Sequence, residues 1–302
     1  MLIDTVIDYS DNAYQKSKCN QCNHKIGCPG NGDCQKCLDE IHFPNEHPNG
    51  KKSYDCHRLI NFYVCKYSYK YASEILYLLK EKSSIKDIKE YNIMSIGCGP
   101  CPDLMAFETY CKESGENKKI HYYGVDINTK WMPIHNVIRE KHSGLFIKDI
   151  KFEYEDAIKV SNEKRIENIN VLILQYMISY LYNTNQINQI DEFFSNIIEN
   201  VIMHRNSEEP FIIILNDVNS KYRGREYFEC LLEKLKRYGF HGVQCPCYFD
   251  HNIKHEKQKY GQKHVSTSIL YPIKKGMEIY NLPEHCSGAQ MLIEVLSNDN
   301  KC

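Results

Sequence analysis

Two cysteine pairs open the chemical inventory of this chain. Cys19 and Cys22 stand two residues apart, Cys34 and Cys37 likewise, and eleven residues lie between the pairs. Thiolates on two tight knuckles can close a tetrahedron, and Zn2+ favours sulfur ligands in structural sites. The spacing therefore predicts zinc at Cys19, Cys22, Cys34 and Cys37. Cys28 between the pairs, with Cys56 and His57 behind them, raises the candidate ligands above four. A second site, another quartet, an iron–sulfur cluster, disulfides and free thiols stay open. The plainest use of such a site is to order a segment that cannot bury a core, metal binding then serving as folding energy. A sharper use is to grip a substrate. Lys25, Lys36, Lys51, Lys52 and Arg58 supply local positive charge, offset in part by Asp33, Asp39 and Glu40.

The second chemical group is the stretch YNIMSIGCGPCPDLMAFETY, residues 91 to 110. Gly97 and Gly99 lack a Cβ and accept positive φ, so a ligand can lie directly on the backbone. Pro100 and Pro102 fix φ, and Pro102 suits the first turn of a helix. Alone, G-x-G is common. The next apolar run supplies a second test, because YYGVDIN ends in Asp126, twenty-seven residues after Gly99. A carboxylate there can accept hydrogen bonds from both hydroxyls of a ribose. A third run ends in Glu155-Asp156-Ala157, where an acid can meet the exocyclic amine of adenine. Each acid by itself reads equally well as a surface residue; their joint placement after consecutive strands favours a nucleoside site. Cys98 and Cys101 read as packing residues rather than metal ligands.

These groups need elements to position them. Strand-like runs occur at 91–97, 120–127, 150–156, 169–176 and 211–217, and helix-like segments at 102–112, 129–141, 186–203 and 223–237. VLIL and FIIIL are apolar at consecutive positions, as expected of parallel strands covered on both faces. Alternating strands and helices imply a doubly wound α/β sheet, with ligands beyond the C-terminal strand ends. FHGVQCPCYF and GAQMLIEVLS read as two last strands. Upstream, Leu59, Tyr63, Tyr67, Tyr71, Ile75 and Leu78 recur at helical spacing, predicting one helix from Cys56 to about Lys82. Its tyrosines suit a stacking platform for bases, but such a stripe more often packs against a neighbouring layer. The expected division is a Cys-rich metal-binding segment over 1–57, a linking helix over 58–84, and the α/β domain over 85–302 with an insertion near 250–285.

Composition narrows the options. Apolar residues make up 42% of the 302 and charged residues 25%, so the chain should be globular. A net charge of -1 removes any argument for nucleic acid from overall charge, leaving only local patches. Lys254, Lys257, Lys259 and Lys263 in the 250–264 loop can meet phosphates, although a solvated loop is the commoner reading; Lys221, Arg223 and Arg225 lie closer to the expected strand ends. The first residues resemble no secretory signal, and no run is long enough for a membrane helix. A cytoplasmic location is expected, and fifteen cysteines there point toward metal before disulfides.

MSIGCGP followed by YGVDI, EDA and VLILQYMISY resembles the class I S-adenosylmethionine-dependent methyltransferases over roughly residues 85 to 297. The resemblance implies a Rossmann-like methyltransferase sheet, here with a small N-terminal zinc-knuckle segment. It places the methionine part of the cofactor on Gly97, Cys98 and Gly99, the ribose on Asp126, and the adenine amine on Asp156. Ile127, Ala157 and Gln175 are further cofactor contacts. Gln175 and Tyr176 would line the methyl-transfer pocket. By position, Tyr176, Asp217 and Asn216 stand at strand ends facing the expected pocket, and each reads equally well as a group that orients or deprotonates an acceptor or as a structural residue behind it. Gln175-Tyr176-Met177-Ile178 departs from the Asn/Asp-Pro-Pro-Tyr of enzymes that methylate exocyclic amines of DNA, and no Pro-Cys nucleophile of the cytosine C5 type stands there. Zinc modules precede the catalytic domain in RNA methyltransferases of similar layout. The expected acceptor is therefore nucleic acid, RNA ahead of DNA. G-x-G-P-x-P also resembles nicotianamine synthases, so methyl or aminocarboxypropyl transfer to a small molecule or peptide is an alternative. A non-catalytic cofactor-binding module is the third reading.

Overall fold

The computed structural model describes residues 1–17, 33–115, 117–163, 165–220, 223–250 and 259–296. Eight strands form one sheet: β1 (Tyr91–Ile96), β2 (Ile120–Val125), β3 (Ile147–Glu153), β4 (Val171–Gln175), β5 (Phe211–Asp217), β6 (His241–Tyr248), β7 (Gln262–Lys263) and β8 (Ala289–Leu296). Their order is β3-β2-β1-β4-β5-β8-β6-β7. The first five are parallel. β8 slots antiparallel between β5 and β6. From β1 the chain winds outward through β2 and β3, then returns to the other side at β4. Such a reversal opens a crevice at the C-terminal strand ends.

Nine helices cover the sheet among the described residues: α1 (Leu2–Lys16), α2 (Cys34–His42), α3 (His57–Glu81), α4 (Pro102–Ser114), α5 (Met132–Lys141), α6 (Ala157–Glu163), α7 (Met177–Asn183), α8 (Ile190–Asn200) and α9 (Glu226–Arg237). The first five pack on one face and the last four on the other. Along β5 the side chains alternate between the two cores, with Ile212 and Ile214 in one and Phe211, Ile213 and Leu215 in the other. That two-sided burial is why the run is apolar at every position.

Several boundaries differ from the sequence reading. β3 spans 147–153 rather than 150–156, because its pairing with β2 begins at Ile120–Ile147. The chain then leaves the sheet and starts α6, where an Asp156 carboxylate oxygen accepts the Ile158 N–H over 2.8 Å. The 129–141 and 186–203 helices are α-helices flanked by short 3-10 turns. α1 was not foreseen, although Leu2, Ile3, Val6, Ile7 and Ser10 bury one face of it. The helix expected as a linker, α3, packs against α1 and α4 and is buried along most of its length. Most of its buried apolar residues belong to the first core.

Of the four predicted zinc ligands, Cys19 and Cys22 lie outside the described residues, as does Cys28. Cys34 and Cys37 are buried on one face of α2, whose N-terminus is capped by Asp33 through the Lys36 N–H at 3.0 Å. Two thiols one turn apart suit a metal chemically. In the loop before β7, Lys254 and Lys257 also lie outside the described residues. His264 is buried, bonding Glu81 at 3.0 Å and Gln290 at 2.7 Å with its ring on Phe249. It pins the C-terminal insertion to the end of α3. No helix of the described residues is long and apolar enough to cross a membrane.

Candidate functional site

A hollow of about 1060 Å3 opens at the C-terminal ends of β1, β2 and β4. It lies just above the roughly 300–1,000 Å3 typical of ligand pockets, large enough for two small molecules side by side. Gly97, Gly99, Asp126, Ile127, Asp156, Ala157, Gln175 and Tyr176 all line it. Sequence reasoning therefore chose residues from four separate segments that the fold brings to one place. Cys98 lies just behind, on a smaller cavity of about 30 Å3 that shares Gly97 and Gly99.

The glycine turn is shaped by its backbone. Gly97 and Gly99 have φ of 68° and 49°, a region open to glycine at little cost. A Cβ on Gly97 would come within 3.2 Å of the Met177 sulfur. Both Gly97 N–H and Cys98 N–H donate to Val125 O, at 2.8 and 3.1 Å, which ties the turn to the end of β2. Asp126, half-buried, accepts the Gly99 N–H at 2.9 Å on one oxygen and the Asn128 N–H at 2.8 Å on the other. Burial raises its pKa, and those two N–H donors oppose the rise. Each carboxylate oxygen has two lone pairs, so acceptor capacity remains toward the hollow.

Gln175 donates its Nε2 to Tyr71 O over 2.9 Å, while its buried Oε1 has no hydrogen-bond partner among the described residues. An orphaned buried acceptor costs about 1–3 kcal/mol, and here it edges a ligand-sized hollow. Non-glycine positive φ among the described residues is confined to three asparagines, Cys101 and Tyr176. Asparagine tolerates that region well; a thiol and a phenol do so only under constraint. Tyr176 lines the hollow, and Cys101 is buried behind the glycine turn.

Asp217 corrects a sequence expectation. It is fully buried and does not line the hollow. One oxygen accepts the Ile178 and Ser179 N–H groups, at 3.0 and 3.1 Å, and the other its neighbour Val218 N–H at 2.7 Å. It anchors the start of α7 and faces no acceptor. Burial pushes its pKa up to about 6 against those donors. Asn216 is likewise turned inward, giving its Nδ2 to Glu74 at 2.9 Å.

What the sequence did not show is Glu74. It sits on α3 with no exposed surface, yet four groups meet its carboxylate: Ser287 N–H at 2.9 Å, Lys70 Nζ at 3.2 Å, Tyr176 OH at 2.9 Å and Asn216. Removing one partner of such a buried set costs about 3–5 kcal/mol. Tyr176 donates to Glu74 and receives Lys70 Nζ at 3.0 Å. Burial, with Glu74 next, holds its phenol well above the usual range. It is a positioned hydroxyl, not a base at neutral pH.

Rings build the second wall. Tyr63, Tyr67 and Tyr71 project from α3 into the hollow together with Tyr54 and Trp131. Tyr67 and Tyr71 stack at 5.2 Å and 7°, and Tyr71 lies 4.4 Å from the Tyr176 ring. The stripe expected to pack against a neighbouring layer instead faces the ligand space, which Pro44, Lys52, Ser53 and Tyr54 also line, with Tyr54 edge-on to Tyr63 at 5.3 Å. His42, bonded to Tyr54 OH at 2.8 Å, is lowered to about 4 by burial and is neutral at physiological pH.

Behind the glycine turn, Cys98, Cys101 and His135 bring two sulfurs and a ring nitrogen within 4.8 Å of one another. His135 bonds Gly99 O at 2.7 Å and Tyr154 OH at 2.8 Å, and its ring stacks on Phe152 at 3.8 Å.

No protein-family model matches the chain, and no curated protein matches it. Solved structures with a similar fold include a SAM-dependent methyltransferase from Archaeoglobus fulgidus, with 17% identity, 74% of this chain and 94% of that one covered, and a TM-score of 0.41. The plantazolicin methyltransferase BamL, bound to a triazolic desmethylPZN analog and SAH, matches with 11% identity over 98% and 100% of the chains at a TM-score of 0.45. A Listeria monocytogenes protein described as a class I S-adenosylmethionine-dependent methyltransferase matches with 11% identity over 99% and 82%, at 0.43. These are distant likenesses of overall shape, and the chemistry of the hollow rests on its own residues.

Proposed function

We propose that this chain is an S-adenosylmethionine-dependent methyltransferase. The observation that carries the reading is convergence: a glycine turn with positive φ, two strand-end carboxylates and an unpartnered glutamine oxygen line one hollow at the reversal point of the sheet. Together they fit a zwitterionic amino-acid end, a ribose and a purine amine. Gly97 and Gly99 leave the backbone bare for the amino-acid end. Asp126 accepts the ribose hydroxyls, and Asp156, with Ile127 and Ala157 beside it, meets the base. Gln175 Oε1 takes a donor from the cofactor or the acceptor.

A bound sulfonium supplies an already activated methyl group. The protein's task is then to hold the nucleophile in line at near-attack distance, and a base is optional, depending on the acceptor. Tyr71, Tyr67 and Tyr63 offer flat faces for an acceptor, and the Lys70–Tyr176–Glu74 set fixes one edge of that space. A flat acceptor is what such walls select. A nucleobase of RNA or DNA and a free aromatic small molecule or peptide heterocycle share that chemistry. The N-terminal cysteines, if they hold zinc or an iron–sulfur cluster, would add a grip on the larger substrates.

Calorimetry with S-adenosylmethionine and its demethylated product tests the cofactor half, and absence of binding removes the reading. Incubating methyl-labelled cofactor with RNA, DNA and small-molecule fractions then assigns the acceptor. Label in a parallel run with aminocarboxypropyl-labelled cofactor, and none from the methyl, would replace methyl transfer by the alternative. Cofactor binding with label in no fraction would leave a sensing module.

A further inference from the structure

The cofactor reading makes no use of the thiols in the glycine turn. Cys98-Gly99-Pro100-Cys101 is a C-x-x-C stretch running from a strand into a helix, and such pairs are redox-active where one thiol is activated. Cys101 N–H donates to Cys98 O over 2.8 Å. The four residues thus close a turn, which brings their end Cα atoms within about 7 Å and matches the span of a disulfide. The sulfurs already lie within 4.8 Å of each other. A metal suits this trio poorly, since both His135 nitrogens are engaged by Gly99 and Tyr154.

We propose that Cys98 and Cys101 are a peroxide-reactive dithiol whose disulfide disables the cofactor turn. Burial pushes the Cys101 thiol up, but the hydrogen bond with Cys98 and the adjacent His135 outweigh it and bring it to about 7. Its place at the N-terminus of α4 also favours a thiolate. Cys101 itself is buried, but the 30 Å3 cavity bordered by Cys98, Gly99, Pro100 and Pro102 admits a molecule the size of water or hydrogen peroxide, not a bulky disulfide, next to the Cys98 sulfur, which lies within 4.8 Å of the Cys101 sulfur. The Cys101 thiolate attacks one peroxide oxygen, forming an S–O bond and releasing hydroxide, which takes up a proton to become water. Cys98 sulfur then attacks the sulfenic sulfur, its proton leaving with the hydroxyl as a second water. Two thiols are oxidised and one peroxide is reduced.

The new ring encloses Gly99. That residue's N–H holds Asp126 and its carbonyl accepts His135, so drawing the sulfurs together turns both the ribose carboxylate and the backbone on which the amino-acid end would lie. In a reducing compartment the link would be transient, as sensing disulfides are. The chemistry is independent of the proposed function; only its consequence rests on that reading.

The test is peroxide treatment of the full chain, alkylation, tryptic digestion and mass spectrometry. The peptide over 90–112 also contains Cys111, so fragmentation must place the link. The expected product is lighter by two hydrogens, joins Cys98 to Cys101, and reverts with dithiothreitol; SAH slows its formation. By calorimetry, oxidised protein should bind SAH about tenfold more weakly than reduced protein, an ordinary size for coupled sites. Cys101→Ser should show one affinity before and after peroxide. Should that variant misfold, the wild-type readouts decide alone. No Cys98–Cys101 link under peroxide that oxidises the exposed Cys230 overturns the proposal, and so does a link that leaves affinity unchanged. A link formed in protein that binds no SAH even when reduced supports the dithiol and strikes the cofactor reading instead.

Discussion

Asp126 and Asp217 stand at the C-terminal ends of parallel strands in one sheet, yet they do opposite work. Beyond β2, Asp126 receives two backbone N–H groups and still lines an open hollow. As the last residue of β5, Asp217 receives three and has no exposed surface. The difference lies in the backbone that each strand end meets. After β2 the chain leaves through a 3-10 turn at Thr129–Trp131 that leads into α5. Opposite the end of β5, α7 starts immediately after Tyr176, and its first N–H groups point at the carboxylate. At the end of β5 a helix start closes over the acid, whereas Asp126 stays on the hollow.

That contrast can be broken most decisively at the glycine turn. Gly97→Val puts a β-branched residue at φ 68° and a Cβ at 3.2 Å from Met177. Left-handed backbone alone costs about 1–2 kcal/mol, and the added bulk stands where the ligand would lie. Cofactor binding by calorimetry should fall below detection; retention of near-normal affinity would show that the open rim is not the cofactor site.

Asp126→Ala should weaken cofactor binding about 10–100-fold, because hydrogen bonds to charged groups are worth about 1.5–3 kcal/mol. Asp217→Asn should leave that affinity nearly unchanged and alter the pH dependence of stability. Burial raises Asp217 from 3.8 to about 6 in the folded state, so the native protein holds that proton more tightly than the unfolded chain. Its contribution is fully present below about pH 4 and is lost as pH rises through 6. Urea melts between pH 4 and 7 should show that loss in the wild type and a flatter profile in the variant. If instead Asp217→Asn abolishes transfer with an unaltered profile, the two acids do the same work.

The smallest effect is expected on the ring wall. Tyr67→Ala removes a face stacked on Tyr71, a contact worth about 0.5–1.5 kcal/mol. kcat/KM for the acceptor should drop about three- to tenfold with cofactor affinity intact. An equal fall in cofactor affinity would move the tyrosines to the cofactor half.

The rim and the ring wall also differ in how readable they were. Gly97, Gly99, Asp126 and Asp156 carry local signatures: small residues at a turn, acids after apolar runs. Their roles depend on strand ends, which apolar patterning locates to within a few residues. The tyrosine stripe was visible at helical spacing, but nothing local says whether a helix face meets a layer or a cavity. Glu74 was invisible for a related reason. A glutamate four residues after a lysine on a helix reads as a solvated ion pair, and only the arrival of Ser287 and Asn216 from distant segments makes it a buried hub.

By itself, the sequence determined the parallel sheet, its two covered faces and the turn where a ligand can touch backbone, because these follow from side-chain periodicity and from which residues accept positive φ. Tertiary structure alone decided which strand-end acid stays open, which face of α3 lines the hollow, and that His135 stands beside the two turn cysteines. Those outcomes depend on where separate segments meet. No spacing along a chain encodes that, since the competition for each polar group is settled only when its neighbours arrive.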